Sequence, residues 1–250
     1  MKKLEDKIAV ITGGNSGIGL AVAKLFAQEG AKVVITGRNP VSIRSAVIEI
    51  GHGSAGLVSD AGNVDCLTQT FEDITKKFDG KIDVLVVNAG VYITAPLASY
   101  TEEMFDQTSD VNFKGAFFSV QRALPYLKDG ASIILTGSTV AETAKINGAA
   151  FAATKAALRS LARSFSAELL PRNIRVNVVS PGPTDTSVFG RTGASELQIE
   201  NAKKALIDHT PLKRLASAGE IAETYLYLAS DDSGYMLGAE LVIDGGYRSL

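Results

Sequence analysis

Short apolar runs alternate with longer stretches of helical spacing along most of the chain. The runs are apolar throughout, which is typical of strands covered on both faces, whereas the stretches between them carry apolar residues every three or four positions. This pattern predicts strands at residues 7–12, 32–36, 55–59, 82–87, 132–136, 174–179 and 239–243. It predicts helices at residues 18–28, 41–50, 66–78, 102–127, 151–170, 195–208 and 220–229.

Strand–helix alternation of this kind favours a parallel sheet with right-handed crossovers. We therefore predict an α/β fold in which a doubly wound parallel sheet of about seven strands lies between two helical layers, a three-layer sandwich. No linker or change of composition divides residues 1–250, so a single domain is expected. The pattern loosens after the sixth strand, and residues 183–212 are predicted to form a lid beside the substrate site.

The charge balance argues against nucleic acid or an anionic membrane as the main partner. The chain has 25 basic and 27 acidic residues and no block of like charge. Its single cysteine, Cys66, excludes an internal disulfide, and with only His52 and His209 beside it no metal site is expected. No apolar run approaches the ~18 residues of a membrane span and no signal-peptide core is present, so we expect a cytoplasmic protein.

A glycine-rich turn follows the first predicted strand and precedes the first predicted helix. It runs from Thr12 to Gly19 and contains Gly13, Gly14 and Gly17. Glycines let the backbone turn tightly and approach a ligand, and the N-terminus of the helix offers free N–H groups to a phosphate. A flexible turn without a ligand is the alternative, and the strand–glycine–helix order disfavours it.

Residues 138–155 form a second stretch with candidate chemistry. Ser138 follows the fifth predicted strand, and Phe151 lies four positions before Lys155 on a predicted helix. Residues at that spacing share a helix face, so the phenyl ring and the ammonium group should point into the same space. Phe151 has no ionisable group and no hydrogen-bond donor.

These motifs, taken in order, resemble the short-chain dehydrogenase/reductase family over the whole chain. Thr12, Gly13, Gly17 and Gly19 fill its TGxxxGxG pattern, and the segment 88–90 reads as its NAG motif. The resemblance implies a Rossmann-type domain with cofactor contacts at Gly13, Asn15, Ser16, Gly17, Ile18, Gly19, Arg38, Asp60, Ala61, Asn88, Ala89, Gly90, Lys155, Pro181, Gly182, Thr184 and Thr186. It implies a catalytic set of Asn112, Ser138, Phe151 and Lys155, and a homotetramer built on the helix 151–170.

Phe151 is the one major departure from the family pattern, because it stands at the position of the catalytic tyrosine. In the family that tyrosine exchanges a proton with the substrate oxygen, lysine lowers its pKa and binds the nicotinamide ribose, serine holds the substrate oxygen, and asparagine supports a water relay. General acid–base catalysis contributes ~10²–10⁴-fold, and a phenyl ring supplies none of it. The chain is therefore either a tyrosine-to-phenylalanine variant of an active enzyme or a naturally inactive relative.

The end of the second predicted strand bears on cofactor choice. A carboxylate there would bind the ribose 2′-hydroxyl of NAD, whereas an arginine suits the 2′-phosphate of NADP. The chain has Gly37 followed by Arg38, and Ser16 or Asn39 could add a hydrogen bond. This pattern favours NADP(H) over NAD(H), with a solvated surface arginine as the alternative.

The predicted substrate walls are mostly apolar, which suggests a moderately hydrophobic ketone, aldehyde or secondary alcohol. Tyr92 belongs to these walls, and the predicted substrate residues are Ser138, Val140, Ala144, Ile146, Val188 and Phe189. The leading prediction is an NADP(H)-dependent oxidoreductase that interconverts a carbonyl and an alcohol, impaired at Phe151. A 3-oxoacyl-carrier-protein reductase, with Lys128 and Arg172 in a basic patch, and a non-catalytic NADP(H)-binding sensor or interaction protein remain alternatives.

Overall fold

Seven parallel strands form one sheet in the order β3-β2-β1-β4-β5-β6-β9. The computed structural model describes residues 2–78, 80–186 and 195–250. Two further short strands, β7 and β8, pair with each other in parallel. The strand bounds are β1 Ile8–Thr12, β2 Lys32–Gly37, β3 Ala55–Val58, β4 Ile82–Val87, β5 Leu127–Thr136, β6 Arg175–Pro181, β7 Thr184–Asp185, β8 Ala216–Ser217 and β9 Glu240–Ile243.

Helices cover both faces of the large sheet, which confirms the predicted doubly wound sandwich. One hydrophobic cluster joins the sheet to α1, α2 and α8, and a second joins it to α3, α5 and α6. None of the helices within the described residues is long and apolar enough to cross a membrane. The helix bounds are α1 Gly17–Gln28, α2 Pro40–Ile50, α3 Val64–Phe78, α4 Glu102–Ser109, α5 Gly115–Ala123, α6 Ala149–Leu169, α7 Glu196–His209 and α8 Ala218–Ala229.

The central strand β1 illustrates why the apolar runs become strands. All five of its residues are buried, with Ala9 and Ile11 facing one cluster and Ile8 and Val10 facing the other. Successive side chains of a strand point to opposite faces, so only an uninterrupted apolar run satisfies both layers. Burying each of these isoleucine or valine side chains stabilises the fold by about 1.5–3 kcal/mol.

The helix predicted at residues 102–127 is divided and ends early. A π-helical turn, Asp110–Lys114, separates α4 from α5, and a short 3₁₀ turn at Leu124–Tyr126 follows. Pro125 has no backbone N–H to continue the helix. β5 therefore begins at Leu127, which pairs with Ile82, rather than at residue 132 as predicted.

The carboxyl ends of β1, β4, β5 and β6 lie at one edge of the sheet because these strands are parallel neighbours. Chain order reverses between β1 and β4, which is the position where open α/β sheets bind ligands. The glycine-rich turn, the segment 88–90, Ser138 and Pro181 all follow or end these strands at that edge. The topology therefore brings together motifs that are far apart in the sequence.

Candidate active site

Thr12 fastens the glycine-rich turn to the end of β4. Its buried hydroxyl Oγ1 accepts hydrogen bonds from the backbone N–H groups of Asn88 (3.0 Å) and Ala89 (3.1 Å). Asn88 Nδ2 in turn donates to the carbonyls of Thr12 and Gly13, each at 3.2 Å. The two loops consequently form one hydrogen-bonded unit whose geometry is set before any ligand arrives.

Two glycines are required by this close approach. Gly13 has a φ of +64°, and a Cβ there would lie 2.9 Å from the Ala89 Cα. A Cβ on Gly19 would lie 2.4 Å from the Gly13 carbonyl oxygen, closer than van der Waals contact permits. Gly19 is buried beneath the turn, so its predicted part in cofactor binding is to let the helix meet the loop.

A cavity of about 510 Å³, here called the glycine-loop cavity, opens over this unit. The first turn of α1 faces it through Gly17 and Ile18, so helix N–H groups are presented to its interior. Among the predicted cofactor residues, its walls contain Gly13, Asn15, Ser16, Gly17, Ile18, Arg38, Asp60, Ala61, Asn88, Ala89, Gly90 and Thr186.

Arg38 and Gly37 lie at the far end of this cavity. Arg38 is exposed and makes no ion pair with the residues that the structure describes. A Cβ on Gly37 would lie 2.6 Å from Asn15 Oδ1, so an acidic side chain could enter there only if Asn15 moved. Asn15 is itself held, since its Nδ2 donates to Ser42 Oγ at 2.8 Å. Asn39 caps α2 by accepting from the N–H groups of residues 41 and 42.

Asp60 lines the same cavity, but part of its side chain is engaged locally. Its Oδ1 accepts from the Gly62 N–H at 3.0 Å, and its own N–H points at Cys66 Sγ at 3.3 Å. Cys66 thus stabilises the turn after β3.

A second cavity of about 300 Å³, the Lys155 cavity, lies next to the first. The two share Ile18, Gly90, Val91 and Thr186 in their walls, so they are continuous. Among the other predicted site residues, this cavity is lined by Ser138, Val140, Phe151, Lys155, Pro181, Gly182 and Thr184.

Lys155 is the most strongly perturbed charged group of this cavity. The residue is 5% exposed, and its Nζ donates to the Thr136 carbonyl at 2.7 Å. Burial lowers the pKa of Lys155 to about 8 because desolvation disfavours the charged ammonium. Nζ also lies 5.6 Å from the centroid of the Phe151 ring, so the two side chains share a face of α6 as predicted.

Asn112 belongs to the π-helical turn and lies below the cavity wall. Its Oδ1 accepts from the Val91 N–H at 2.8 Å, and its Nδ2 donates to the Val91 carbonyl at 2.9 Å. A Cβ on Gly90 would lie 3.2 Å from Asn112 Oδ1 and 3.8 Å from Lys155 Nζ. The buried amide therefore fixes the segment after the NAG motif and lies close to the lysine. Sequence reasoning predicted this residue but not the π turn that carries it.

Ser138 has an extended backbone and caps the 3₁₀ turn that follows, since its Oγ accepts from the Val140 N–H at 3.4 Å. That bond is long, and the hydroxyl retains its proton and a second lone pair for a ligand. Phe151 is half-buried beside it, and its ring meets the Tyr92 ring edge to face with centroids 4.9 Å apart.

The remaining predicted substrate residues are placed differently. Ala144 and Ile146 line an adjoining groove of about 480 Å³, here called the α7 groove, rather than the Lys155 cavity. Val188 and Phe189 lie outside the described residues. Sequence reasoning missed Lys145, Leu206 and Tyr247, which line both the Lys155 cavity and the α7 groove.

Tyr247 comes from the C-terminal tail, which a network of charges ties to the loop after Ser138. Glu142 on that loop pairs with both Arg159 and Arg248. Arg159 Nε also lies 2.7 Å from Glu240 Oε2, and Asp244 accepts from the Arg248 N–H at 2.9 Å. The ion pairs span three distant parts of the chain, and no local pattern in the sequence signals them.

The continuous cavity suits a nicotinamide dinucleotide. A Cβ at Gly13 would collide with the second loop, helix N–H groups face the interior, and a single arginine without a carboxylate partner in the described chain lies at one end. The opposite end holds Ser138 and Lys155, and Thr186 lies where the two cavities meet; all three are hydrogen-bonding groups of the kind that bind a ribose or a carboxamide. The phosphates of such a cofactor would face the N–H groups at the start of α1, and its ribose hydroxyls would lie beside the Lys155 ammonium group. Both parts of the cofactor would therefore meet hydrogen-bond donors.

Comparison with known proteins agrees with this geometry. Residues 13–248 match the family described as Enoyl-(Acyl carrier protein) reductase. The chain is 36% identical over 250 residues to the 3-oxoacyl-(acyl-carrier-protein) reductase FabG of Thermotoga maritima, with 98% of each sequence covered. It is 35% identical over 255 residues to the NADP-dependent (R)-specific alcohol dehydrogenase of Lentilactobacillus kefiri, covering 99% of this chain and 98% of the relative.

A solved structure of a doubly substituted short-chain dehydrogenase/reductase from Serratia marcescens superposes with a TM-score of 0.89 and 33% identity. The match covers 99% of this chain and 100% of that chain. The likeness therefore extends over the sheet, both helical layers and the edge that carries the cavities.

Proposed function

The chain belongs to the short-chain dehydrogenase/reductase family, and on that premise we propose that it is an NADP(H)-dependent oxidoreductase for carbonyl and alcohol interconversion whose chemistry is impaired at Phe151. One observation carries the proposal. A single continuous cavity runs from the glycine-rich turn to Ser138 and Lys155. A cofactor bound along it would have its reactive end beside those two side chains.

The reaction converts a ketone or aldehyde, one hydride equivalent and one proton into an alcohol, or the reverse. When bound, the nicotinamide cofactor supplies or accepts the hydride. The protein must then bind and orient both partners and handle the proton. The Ser138 hydroxyl would donate a hydrogen bond to the carbonyl oxygen, and Lys155, held by the Thr136 carbonyl, would bind the ribose hydroxyls of the cofactor.

Proton transfer is the step for which this site lacks a suitable group. Phe151 lines the Lys155 cavity together with Ser138 and Lys155, and we infer that it stands where the family's phenol would transfer the proton. The neighbouring Tyr92 does not replace that phenol easily, since burial raises the pKa of Tyr92 and its ring meets Phe151 from the edge. Binding is preserved and proton transfer is lost, which lowers turnover more than affinity.

Selection of NADP(H) rests on Arg38. Its guanidinium is exposed at the end of the glycine-loop cavity with no carboxylate partner in the described chain, and Gly37 places no acidic side chain at the end of β2, where it would repel a 2′-phosphate. An Arg–phosphate pair is a charge-assisted, often bidentate interaction. One relative is NADP-dependent by name, which agrees with this choice.

Replacing Phe151 with tyrosine tests the proposal. The Phe151→Tyr variant should gain ~10²–10⁴-fold in turnover with NADPH on at least one ketone, aldehyde or alcohol of a broad panel. Phe105→Tyr, which adds the same hydroxyl at a half-exposed position on α4, is the matched control and should gain nothing. If the Phe151→Tyr variant binds NADPH but transfers no hydride to or from any panel member, the chain is a cofactor-binding protein without this chemistry.

A 3-oxoacyl-carrier-protein reductase is the second candidate, because the family description and one relative name acyl-carrier-protein chemistry. The basic patch expected for an acidic carrier is weakened by pairing. Lys128 contacts Asp83 at 3.1 Å, and Arg172 contacts Asp129 at 2.8 Å. Reduction of 3-oxoacyl thioesters by the Phe151→Tyr variant, faster than reduction of simple ketones, would favour this candidate, and no reaction with thioesters would remove it.

A further inference from the structure

The Lys155 cavity and the α7 groove carry positive charge without a counter-charge. Their ionisable side chains, besides two tyrosines, are Lys145, Lys155 and His209. No aspartate or glutamate of the described chain lines either space.

Lys145 lies where the two spaces meet, since it lines both of them. It is half-buried and has no ion pair and no side-chain hydrogen bond with any part of the chain that the structure describes. The carboxylate nearest to it in sequence, Glu142, is already shared by Arg159 and Arg248. Lys155, the other cation, donates to the Thr136 carbonyl. Within the described chain, the ammonium group of Lys145 thus has no hydrogen-bond or ion-pair partner and is available to a ligand.

The other walls at this junction are apolar or aromatic. Tyr92, Leu206 and Tyr247 line both spaces, and Val140 lines the Lys155 cavity. A volume of about 300 Å³ is at the small end for ligand pockets. The arrangement combines Lys145, a cation without an ion-pair partner in the described chain, with an apolar body and the Ser138 hydroxyl in one small space.

We propose that the substrate is a small oxo acid or hydroxy acid, whose carboxylate binds Lys145 while its carbonyl or hydroxyl oxygen lies at Ser138. This proposal rests on the proposed function and adds the substrate class to it. The carboxylate takes no part in the redox step and is unchanged by it. Its role is to orient the substrate, with Lys145 as a specificity-determining residue, and the apolar walls hold the carbon chain between the two polar ends.

The test compares acids with their esters in the Phe151→Tyr background. The substrates are pyruvate, acetoacetate, 4-oxopentanoate and 2-oxo-4-phenylbutanoate, each beside its methyl or ethyl ester. At least one acid should exceed its ester about tenfold in kcat/KM. Adding Lys145→Met should then lower kcat/KM for that acid by ~10–100-fold, mainly through KM, because a charge-assisted hydrogen bond is lost. The ester should change by less than about threefold.

Two control variants keep the test specific. Lys145→Arg keeps the charge and should retain most of the preference for the acid. Lys81→Met removes an exposed lysine elsewhere and should change neither substrate. If the Phe151→Tyr variant reduces esters as well as acids, and Lys145→Met lowers both equally, Lys145 is a solvated lysine and the inference is wrong although the oxidoreductase proposal stands.

A binding measurement covers the case in which the Phe151→Tyr variant transfers no hydride. The unmodified chain, saturated with NADP⁺, is titrated calorimetrically with the 2-, 3- and 4-hydroxy acids that correspond to the oxo acids. Binding that weakens by ~10–100-fold in Lys145→Met supports the anion site without any turnover. Absence of binding to all of them, with cofactor binding intact, overturns it.

Discussion

Replacing the buried Lys155 with methionine should stabilise the folded chain at neutral pH. Burial lowers the pKa of Lys155 from 10.5 to about 8, and at ~1.4 kcal/mol per pKa unit this corresponds to a cost of ~3 kcal/mol for keeping the ammonium charged. The variant also leaves the Thr136 carbonyl without its donor, which costs ~1–2 kcal/mol. The expected net gain in the free energy of unfolding at pH 7 is therefore ~1–2 kcal/mol.

The dependence on pH gives a sharper test than the gain itself. A lysine whose pKa is lower in the folded state binds fewer protons there than in the unfolded chain between about pH 8 and pH 10.5. The cost is therefore fully present below pH 8 and is relieved as the pH rises towards 10.5. The unmodified chain should gain ~2 kcal/mol relative to Lys155→Met between pH 7 and pH 9.5.

Urea unfolding followed by far-ultraviolet circular dichroism, at one protein concentration and at pH 7, 8 and 9.5, measures this difference. Lys32→Met is the matched control, because Lys32 is an exposed lysine on β2. The difference between Lys32→Met and the unmodified chain should not change with pH over this range. A gap for Lys155→Met that is equally constant would mean that Lys155 keeps an ordinary pKa, and the reasoning about its burial would be refuted.

Three further predictions address the cofactor, the loop unit and assembly. Arg38→Ala should weaken NADPH binding ~10–100-fold and NADH binding little, measured by calorimetry, and an equal loss for both would contradict the assignment of the 2′-phosphate. Thr12→Val should destabilise the chain by ~2–4 kcal/mol because two buried N–H groups lose their acceptor. Its register partner Thr36 accepts no such bonds in the described structure. Thr36→Val should therefore leave no buried N–H group without an acceptor and cost less than ~1 kcal/mol, and a similar cost for both variants would contradict this reason. We propose a homotetramer that covers the apolar groove between α4 and the start of α6, so Phe105→Glu should lower the sedimentation coefficient, whereas Ile48→Glu, which also replaces an exposed apolar side chain but on α2, should not. If the unmodified chain sediments as a monomer, this last prediction is wrong.

Much of the fold and the cofactor side of the site could be predicted from the sequence because local residues determine them. Uninterrupted apolar runs fix the strands, and the glycines at positions 13 and 19 are required where two loops touch. Parallel strand order then brings Asn88 against Thr12, although they are 76 positions apart. Lys155 and Phe151 could be placed on one face because they are a helical turn apart.

The substrate side could not be predicted to the same extent because distant parts of the chain build it. Tyr247 lines the Lys155 cavity, and the next residue, Arg248, pairs with Glu142, 106 positions away. Ala144 and Ile146 follow Ser138 in sequence, yet they line the neighbouring groove. Lys145, which lies between them in sequence, lines both spaces. Its lack of a carboxylate partner in the described chain becomes evident only from the structure, because Glu142 pairs with Arg159 and Arg248 instead.

The π-helical turn at Asn112 has a consequence for length rather than for residue type. Such a turn holds one residue more than an α-helical path of the same direction would need. Deleting one residue within this turn would let it close in the α-helical pattern with α5 kept in register, whereas deleting one residue from α4 would rotate everything beyond it by about 100° about the helix axis. That rotation would turn Gly115, where an added Cβ would lie only 2.2 Å from the Ala61 carbonyl oxygen, away from this contact. The α4 helix should therefore accept many substitutions along its exposed face but few changes in its number of residues, whereas the π turn can lose one residue.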